Sequence, residues 1–552
     1  LERVQESVVL DSIGVRPGEL LSEERLRADV AAVVATGWFA DANVRTEPLR
    51  DGVRIIFLVV ENPVVSRVTV EGHTKLTNDE VVRTLNIPVG GVLNNLRLRD
   101  GARAIEKLYE EKGFVLARVA DVGVTADNGG AHLRVRIAEG TVEAVQYKGL
   151  VKTRRFVVDR VTTIRPGAVF NINDLNKDLQ QLVALQLFET VQARPAPASS
   201  PDAVILEIEV KEQRTQQARF ALGYGDRTGI AGLVEYSERN WQGRNQQITV
   251  RFERGLTTDR QLPTAGAASN FVISFREPFF DRHRTVLDVA LYESNTSESE
   301  YLNGIITANF ALNRLGSFIS LTRPIDPQTS VTLRLRSERA TITPLPIDLT
   351  TPPCNVDPND PLCPRPLPSL FSPGRAIVLS LGGVRDTRDN PRVATRGERW
   401  ALGLDFGVTA LGGNFGFGKY TAEYTRYFSA GSGVIVGHAL VGWSHGNLPL
   451  QEQFTLGGAT TLRSYPYAFL RGSSAALFNA EFRMPLGGIA RQLRDFTGIV
   501  FVDAGTAPIS SNAQYGYGLG AMVNTAFGAI RIDYAVRPGG GTQTWLTIGN
   551  PF

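Results

Sequence analysis

From about residue 213 to Phe552 the chain loses helical periodicity. It becomes a long succession of segments that alternate apolar and polar residues, with turn residues between them. A run of that length constrains the fold more than any other feature. Successive side chains point to opposite faces of a strand, so each segment has one apolar and one polar face. Examples are 218–226, 245–255, 285–294, 331–340, 400–408, 419–428 and 434–443. Counted up and down, about sixteen strands fit, an even number as closure with neighbouring ends requires. The charged members, as between Val331 and Arg336, would face a wet interior and the apolar ones lipid. Short turns fall at Arg276-Glu277-Pro278, Arg323-Pro324, Asp386 to Arg396 and Met484-Pro485, and longer connections at 256–269, 341–374 and 444–474. That asymmetry is expected between the periplasmic turns and outer loops of a transmembrane barrel. A soluble β-sandwich is the competing architecture. The strand count, the glycine and aromatic content and the terminal Phe552 favour the barrel.

The chain has 552 residues, enough for two or more domains. No apolar run approaches the roughly 20 residues that a membrane-spanning helix needs. A barrel escapes that test, because only alternate residues meet lipid. The net charge of +3 calls for no polyanion, so nucleic acid is not an expected partner. The first residues, LERVQES, are polar; an exported chain would have lost its signal peptide, and the abrupt start suggests processing or truncation.

Residues 1 to about 212 are richer in charge, and an order of strand, two helices and two strands recurs in them. In the clearest copy, 64–72 alternates like a strand and Thr77 with Glu80 marks a helix start. A second helix at 97–112 ends at Gly113-Phe114, and strands follow at 115–125 and 131–138. The order returns in 141–212, with helices near 153–162 and 173–187 and Leu187-Phe188 in place of Gly113-Phe114. It also fits 1–62, whose opening strand is missing. The expected domains are therefore 1–62, 63–139, 140–212 and 213–552, the first three an array of small units.

Within the barrel one loop stands out, Phe454 to Tyr465. It holds Gly457 and Gly458, then Leu462, a lone Arg463, Ser464 and Tyr465. An arginine among membrane-type strands needs an acidic, wet place to sit. Asp503, between Phe501 and Gly505, is one partner, and Glu481 one hairpin earlier is the second. If both acids face the interior side by side, the planar fork of Arg463 can bridge them and latch the loop. The competing reading is a solvated surface arginine.

Other chemistry is sparse. The five histidines are scattered, no nucleophile, nucleotide or metal motif occurs, and neither an enzyme nor a cofactor is expected. Cys354 and Cys363 lie close together in a proline-rich connection. In an exported chain they read as a disulfide pinning a surface loop, with a metal site the less favoured alternative because no histidine is near.

The recurring helix-end Gly-Phe or Leu-Phe and the strand-closing V-x-E resemble POTRA domains, the periplasmic modules of the Omp85 superfamily. The barrel half resembles the same superfamily. Leu462-Arg463-Ser464-Tyr465 stands where the family carries Arg-Gly-Tyr or Arg-Gly-Phe in its sixth outer loop. Phe501, Asp503 and Gly505 match its F-x-D-x-G strand, and Glu481 to Pro485 its E-F-R-x-P. Ser464 replaces the usual glycine, and serine fits less easily if that position needs positive φ.

The resemblance implies α+β POTRA repeats followed by a 16-stranded antiparallel transmembrane β-barrel in the outer membrane, with the repeats in the periplasm. It implies an outer-membrane protein assembly factor. The repeats would take unfolded outer-membrane proteins, and periplasmic lipoproteins or chaperones, by strand augmentation; the structural alternative is that they are spacers. The barrel, seated in membrane lipid, would open between its first strand (218–226) and last strand (542–551). Gly539 to Gly541 and Gly549 would weaken that seam near Phe552, or merely form a turn and a kink. An autotransporter-assembly factor and a two-partner-type polypeptide secretion pore are the alternative functions.

Overall fold

The computed structural model describes all residues except 128–129, 226–228, 256–267, 303, 346–372, 392, 489–490, 494, 526–527 and 549–552. Cys354, Cys363, Gly549 and Phe552 lie outside the described residues. The chain divides into two compact units, Leu1–Gln213 and Arg214–Phe552.

The first unit is built by repetition. Its opening segment has α1 (Glu6–Ser12), α2 (Glu23–Ala35), β1 (Phe39–Leu49) and β2 (Gly52–Glu61), the two strands pairing antiparallel. The next has β3 (Val65–Glu71), α3 (Asn78–Leu85), α4 (Asn95–Glu111), β4 (Arg118–Asp127) and β5 (Gly130–Ala138). The last has β6 (Thr141–Lys148), α5 (Arg155–Asp159), α6 (Ile172–Ala184), β7 (Phe188–Pro197) and β8 (Ala203–Glu212). In both complete copies the final strand lies in the middle, parallel to the first and antiparallel to the second. Helix α3 starts on a full capping box, in which the Thr77 side chain accepts from Glu80 N and the Glu80 carboxylate accepts from Thr77 N. Val65, Leu85, Ile105, Tyr109, Leu133 and Val135 pack between helices and sheet as one core.

The strand-closing glutamate has a physical reason. In each repeat it accepts backbone N–H groups from the segment leading into the first helix. Glu61 takes those of Glu2, Arg3 and Val4; Glu139 those of Thr74 and Lys75; Glu212 those of Val151, Lys152 and Thr153. These donors lie outside the strands, and a carboxylate accepts from several at once. Burial pushes the Glu139 and Glu212 carboxyls up, but the hydroxyl and backbone donors outweigh it, led by the side chains of Thr74 and Thr153, and hold both below the usual range.

The joints between copies also repeat. The Asn94 side-chain amide donates to Thr36 O and the Asn95 N–H to Gly37 O; the Asn171 amide donates to Lys112 O and the Ile172 N–H to Gly113 O. The helix-end glycines sit in the left-handed region, with φ of 80° and 90°. In the third copy that conformation falls on Gln186, at φ 55°, one residue before the Leu187 expected to replace Gly113. Helix α5 is also shorter than the 153–162 that periodicity suggested.

The second unit is one antiparallel sheet of sixteen strands. In order these are β9 (Gln216–Gly225), β10 (Gly229–Trp241), β11 (Gln246–Gly255), β12 (Ser269–Glu277), β13 (Val286–Leu302), β14 (Ile305–Pro324), β15 (Thr329–Leu345) and β16 (Gly374–Asp386). Then come β17 (Gly397–Gly407), β18 (Phe417–Ala430) and β19 (Gly433–Gly446), and, inside the next connection, a small hairpin of β20 (Phe454–Leu456) and β21 (Leu470–Gly472). The wall resumes with β22 (Ser474–Pro485), β23 (Phe496–Thr506), β24 (Gln514–Thr525), β25 (Gly528–Val536) and β26 (Thr542–Ile548). Each strand pairs with its neighbour, β19 meets β22 across the small hairpin, and β9 and β26 are the two edges. Those edges come alongside each other, with Cα atoms within 8 Å, so the sheet rolls into a barrel. Among the described residues no ladder joins them.

Alternation sorts the faces. Leu315, Ile319, Leu333, Leu335, Leu379 and Leu402 stand exposed on the outside, as lipid-facing residues do, while Glu338, Asn479, Glu481 and Asp503 are buried inside.

Candidate functional site: a loop moored inside the barrel

Arg463 is completely buried. Its Nε donates to Asp503 Oδ2 at 2.9 Å and its Nη2 to Asp503 Oδ1 at 2.5 Å, a planar two-pronged pair. Its Nη1 donates to Glu481 Oε1. Its own backbone N–H also reaches Asp503 Oδ2, at 3.0 Å. The guanidinium lies 3.6 Å from the centroid of the Phe501 ring, two residues before Asp503 on the same face of β23. The acids are not directly side by side, because Glu481 faces Phe501 across the ladder and Asp503 faces Asn479. The one-pair offset is what lets a single guanidinium use one edge for each.

The rest of the loop shapes this approach. Gly457 and Gly458 have φ of 121° and 98°, and a Cβ on Gly457 would lie 2.1 Å from Pro466 O. Leu462 and Tyr465 pack with Phe454, Leu456, Ala475, Leu477 and Ala507 into a small core within the barrel. The Tyr465 hydroxyl donates to Gln514 Oε1 at 3.1 Å. A Cβ on Gly505 would sit 3.0 Å from Leu456 Cδ1, so its bareness seats the loop hairpin. Ser464 is not among the residues with positive φ, so the backbone objection to serine does not arise. Its side chain lies over Gly516 on β24, where any Cβ would be 1.8 Å from Ser464 Oγ.

Several participants were not foreseen. Arg531 on β25, also completely buried, donates to Glu481 Oε1 at 2.8 Å and to Asp533 Oδ2 at 2.6 Å. Arg483 donates to Glu481 Oε2 at 2.8 Å, and the Asn479 amide to Asp503 Oδ1 at 2.7 Å. His438, grouped in the sequence with scattered histidines, contacts Asn479 Oδ1 through Nδ1 at 2.9 Å. Arg463, Arg483 and Arg531 thus face Glu481, Asp503 and Asp533, and the buried charges balance. One signal for this was present. On β24, Gly516, Gly518 and Gly520 alternate with outward Tyr515, Tyr517 and Leu519. Their missing side chains leave room for Ser464, Phe501 and Asp533 respectively.

The loop has a second mooring. Arg471 on β21 donates to Glu298 Oε2 at 2.7 Å and Glu300 Oε2 at 3.1 Å, both on β13. Glu452, just before β20, accepts from Arg336 of β15 at 2.5 Å. The connection between β19 and β22 is therefore tied to β22, β23 and β24 by its tip and to β13 and β15 by its base. Both ends of the connection are thus bonded to residues of the barrel wall.

Comparison with known proteins agrees with this geometry. Residues 240–548 match the model of the Omp85 superfamily domain, and residues 63–140 and 141–213 each match the POTRA model, described as a surface antigen variable number repeat. The chain is 23% identical over 555 residues to the chloroplastic outer envelope protein 80 of Arabidopsis thaliana, covering 94% of this chain and 71% of that one. It is 22% identical over 469 residues to the outer membrane protein assembly factor BamA of Nitratidesulfovibrio vulgaris, covering 81% of this chain and 55% of that one. In fold it is similar to the crystal structure of BamA from Haemophilus ducreyi lacking POTRA domains 1–3, with a TM-score of 0.63 at 15% identity, over 88% of this chain and 99% of that one. The chain belongs to the Omp85 superfamily and is an outer-membrane protein whose amino-terminal POTRA repeats lie in the periplasm.

Proposed function

We propose that this chain is an outer-membrane protein assembly factor, which receives unfolded barrel precursors on its POTRA repeats and promotes their folding and insertion at the seam between β9 and β26. The seam is the observation that carries this reading. Its two strands lie alongside each other without a ladder among the described residues. A nascent strand cannot enter lipid with its backbone groups unpaired. An edge held next to a poorly joined partner offers those groups a template at low cost of opening. The latch of Arg463 on Glu481 and Asp503 would keep the loop beside that seam while it works. The work is done by hydrogen-bond exchange and needs no catalytic group.

Cells depleted of the chain and complemented with variants test this. Wild type should restore a broad set of outer-membrane barrels. A variant with β9 and β26 joined by an engineered disulfide should fail until a reductant is added. Unimpaired barrel assembly by the locked variant would remove the seam from the mechanism. Loss of autotransporters alone would mark the dedicated assembly factor, and loss of one secreted polypeptide alone the secretion pore.

A further inference from the structure

On the outer face of the barrel, β13 to β16 carry an apolar band that includes Leu291, Leu315, Leu333, Leu335 and Leu379. Toward the end opposite the short β14–β15 turn, the same face becomes polar and basic. Ser317 of β14 stands directly across from Ser337 of β15, and Arg339 of β15 directly across from Arg375 of β16. With Leu291 and Leu315 these four residues line a pocket of about 900 Å³, whose lining also includes Gly374 and Gly412.

The pocket is organised around its cations. Arg375 Nε donates to Ser337 Oγ at 3.1 Å, and the Arg375 backbone N–H to the Asn414 side-chain oxygen at 2.6 Å. That fixes the Arg375 fork and leaves its terminal nitrogens free of Ser337. Among the described residues neither Arg339 nor Arg375 has a carboxylate partner. Glu293, next on the outer face of β13, lies across from Leu315 and pairs with neither. Like charges directly opposite in a ladder repel. A dianion held between the two forks reverses that cost, and two guanidiniums with two hydroxyls beside them match the donor demand of a phosphate. Leu291 and Leu315, each more than half exposed, continue from the same pocket into the lipid-facing band.

We propose that this pocket binds the phosphate headgroup of a phosphate-bearing lipid in the outer leaflet, with the first part of an acyl chain lying on Leu291 and Leu315. The apolar floor, open to the band, is what selects a lipid over free phosphate.

The full chain in neutral detergent, mixed with phosphatidic acid, diacylglycerol or inorganic phosphate and read by native mass spectrometry, tests the site. Phosphatidic acid should be retained and diacylglycerol should not. Arg339→Ala with Arg375→Ala should weaken retention about tenfold or more, whereas Arg282→Ala, in the turn before β13, should leave it unchanged. Folding of each variant is checked by heat-modifiable gel mobility. Should the double variant fail that check, Arg339→Gln and Arg375→Gln singly should each show the same loss at smaller amplitude. Equal retention by wild type and variants overturns the proposal. So does displacement of the lipid by inorganic phosphate at equal concentration, which would mark a free-anion site.

Discussion

The indole Nε1 of Trp545 donates a 2.6 Å hydrogen bond to the backbone carbonyl of Arg463. The last barrel strand therefore touches the loop tip directly, and the same residue that grips β22 and β23 through its side chain grips β26 through its main chain. Trp545→Phe keeps an aromatic ring and removes this donor to a buried carbonyl, at a cost of about 1–3 kcal/mol. The expected outcome is faster hydrogen exchange of amides in β26, with β22 and β23 unchanged. Unaltered exchange in β26 would show that the loop does not support the seam.

Breaking the ion network from the loop side should be more severe. Arg463→Ala leaves Glu481 and Asp503 facing the remaining arginines without their central cation, and removing one member of a buried pair costs about 3–5 kcal/mol. The loop should become protease-sensitive and barrel assembly should fall, while heat-modifiable mobility stays that of a folded barrel. Arg463→Lys keeps the charge but not the two-edged fork, so it should restore only part of the activity.

Much of this was readable beforehand, for reasons that differ by residue. Strands could be located because lipid on one side and water on the other enforce a period of two, as on β15 from Val331 to Leu335. The pairing of Arg463 with Glu481 and Asp503 could be reached because an arginine among membrane strands has few acids to choose from. Their ladder offset could not, since register depends on turn lengths and alternation only narrows it. Arg531 and Trp545 were missed because each is ordinary in its own segment; what makes them part of the site is contact with residues far back in the chain, Glu481 for Arg531 and Arg463 for Trp545. The strand-closing glutamates were visible as a recurring letter, but their role needs the loop backbone they serve.

The second mooring predicts a separate effect. Arg471→Ala releases the loop base from Glu298 and Glu300 while leaving Arg463 in place. Ion conductance through the barrel in planar bilayers should rise modestly, and Arg463→Ala with Arg471→Ala should exceed the sum of the single variants, because each mooring still restrains the loop in part when the other is cut. Additive conductances would mean that the two ends move independently.

The repeats carry a pH dependence whose sign follows from their closing glutamates. Glu139 and Glu212 are held below the ordinary carboxyl range by donors of the segment ahead of the first helix, against the opposing push of burial. Glu80 is held down at about 2, chiefly by the Thr77 backbone N–H and then by Lys112 and the Thr77 hydroxyl. A carboxyl with a lowered folded-state pKa stabilises fully above its unfolded value and loses that contribution as pH falls through the folded one. The amino-terminal unit of the full chain should thus keep a constant calorimetric midpoint above about pH 5 and lose stability steadily between about pH 4 and 2. Glu139→Gln and Glu212→Gln should lower the midpoint at neutral pH and flatten that slope, so that variant and wild type converge in acid. Parallel curves at all pH values would mean that these side chains act by shape alone and not by charge.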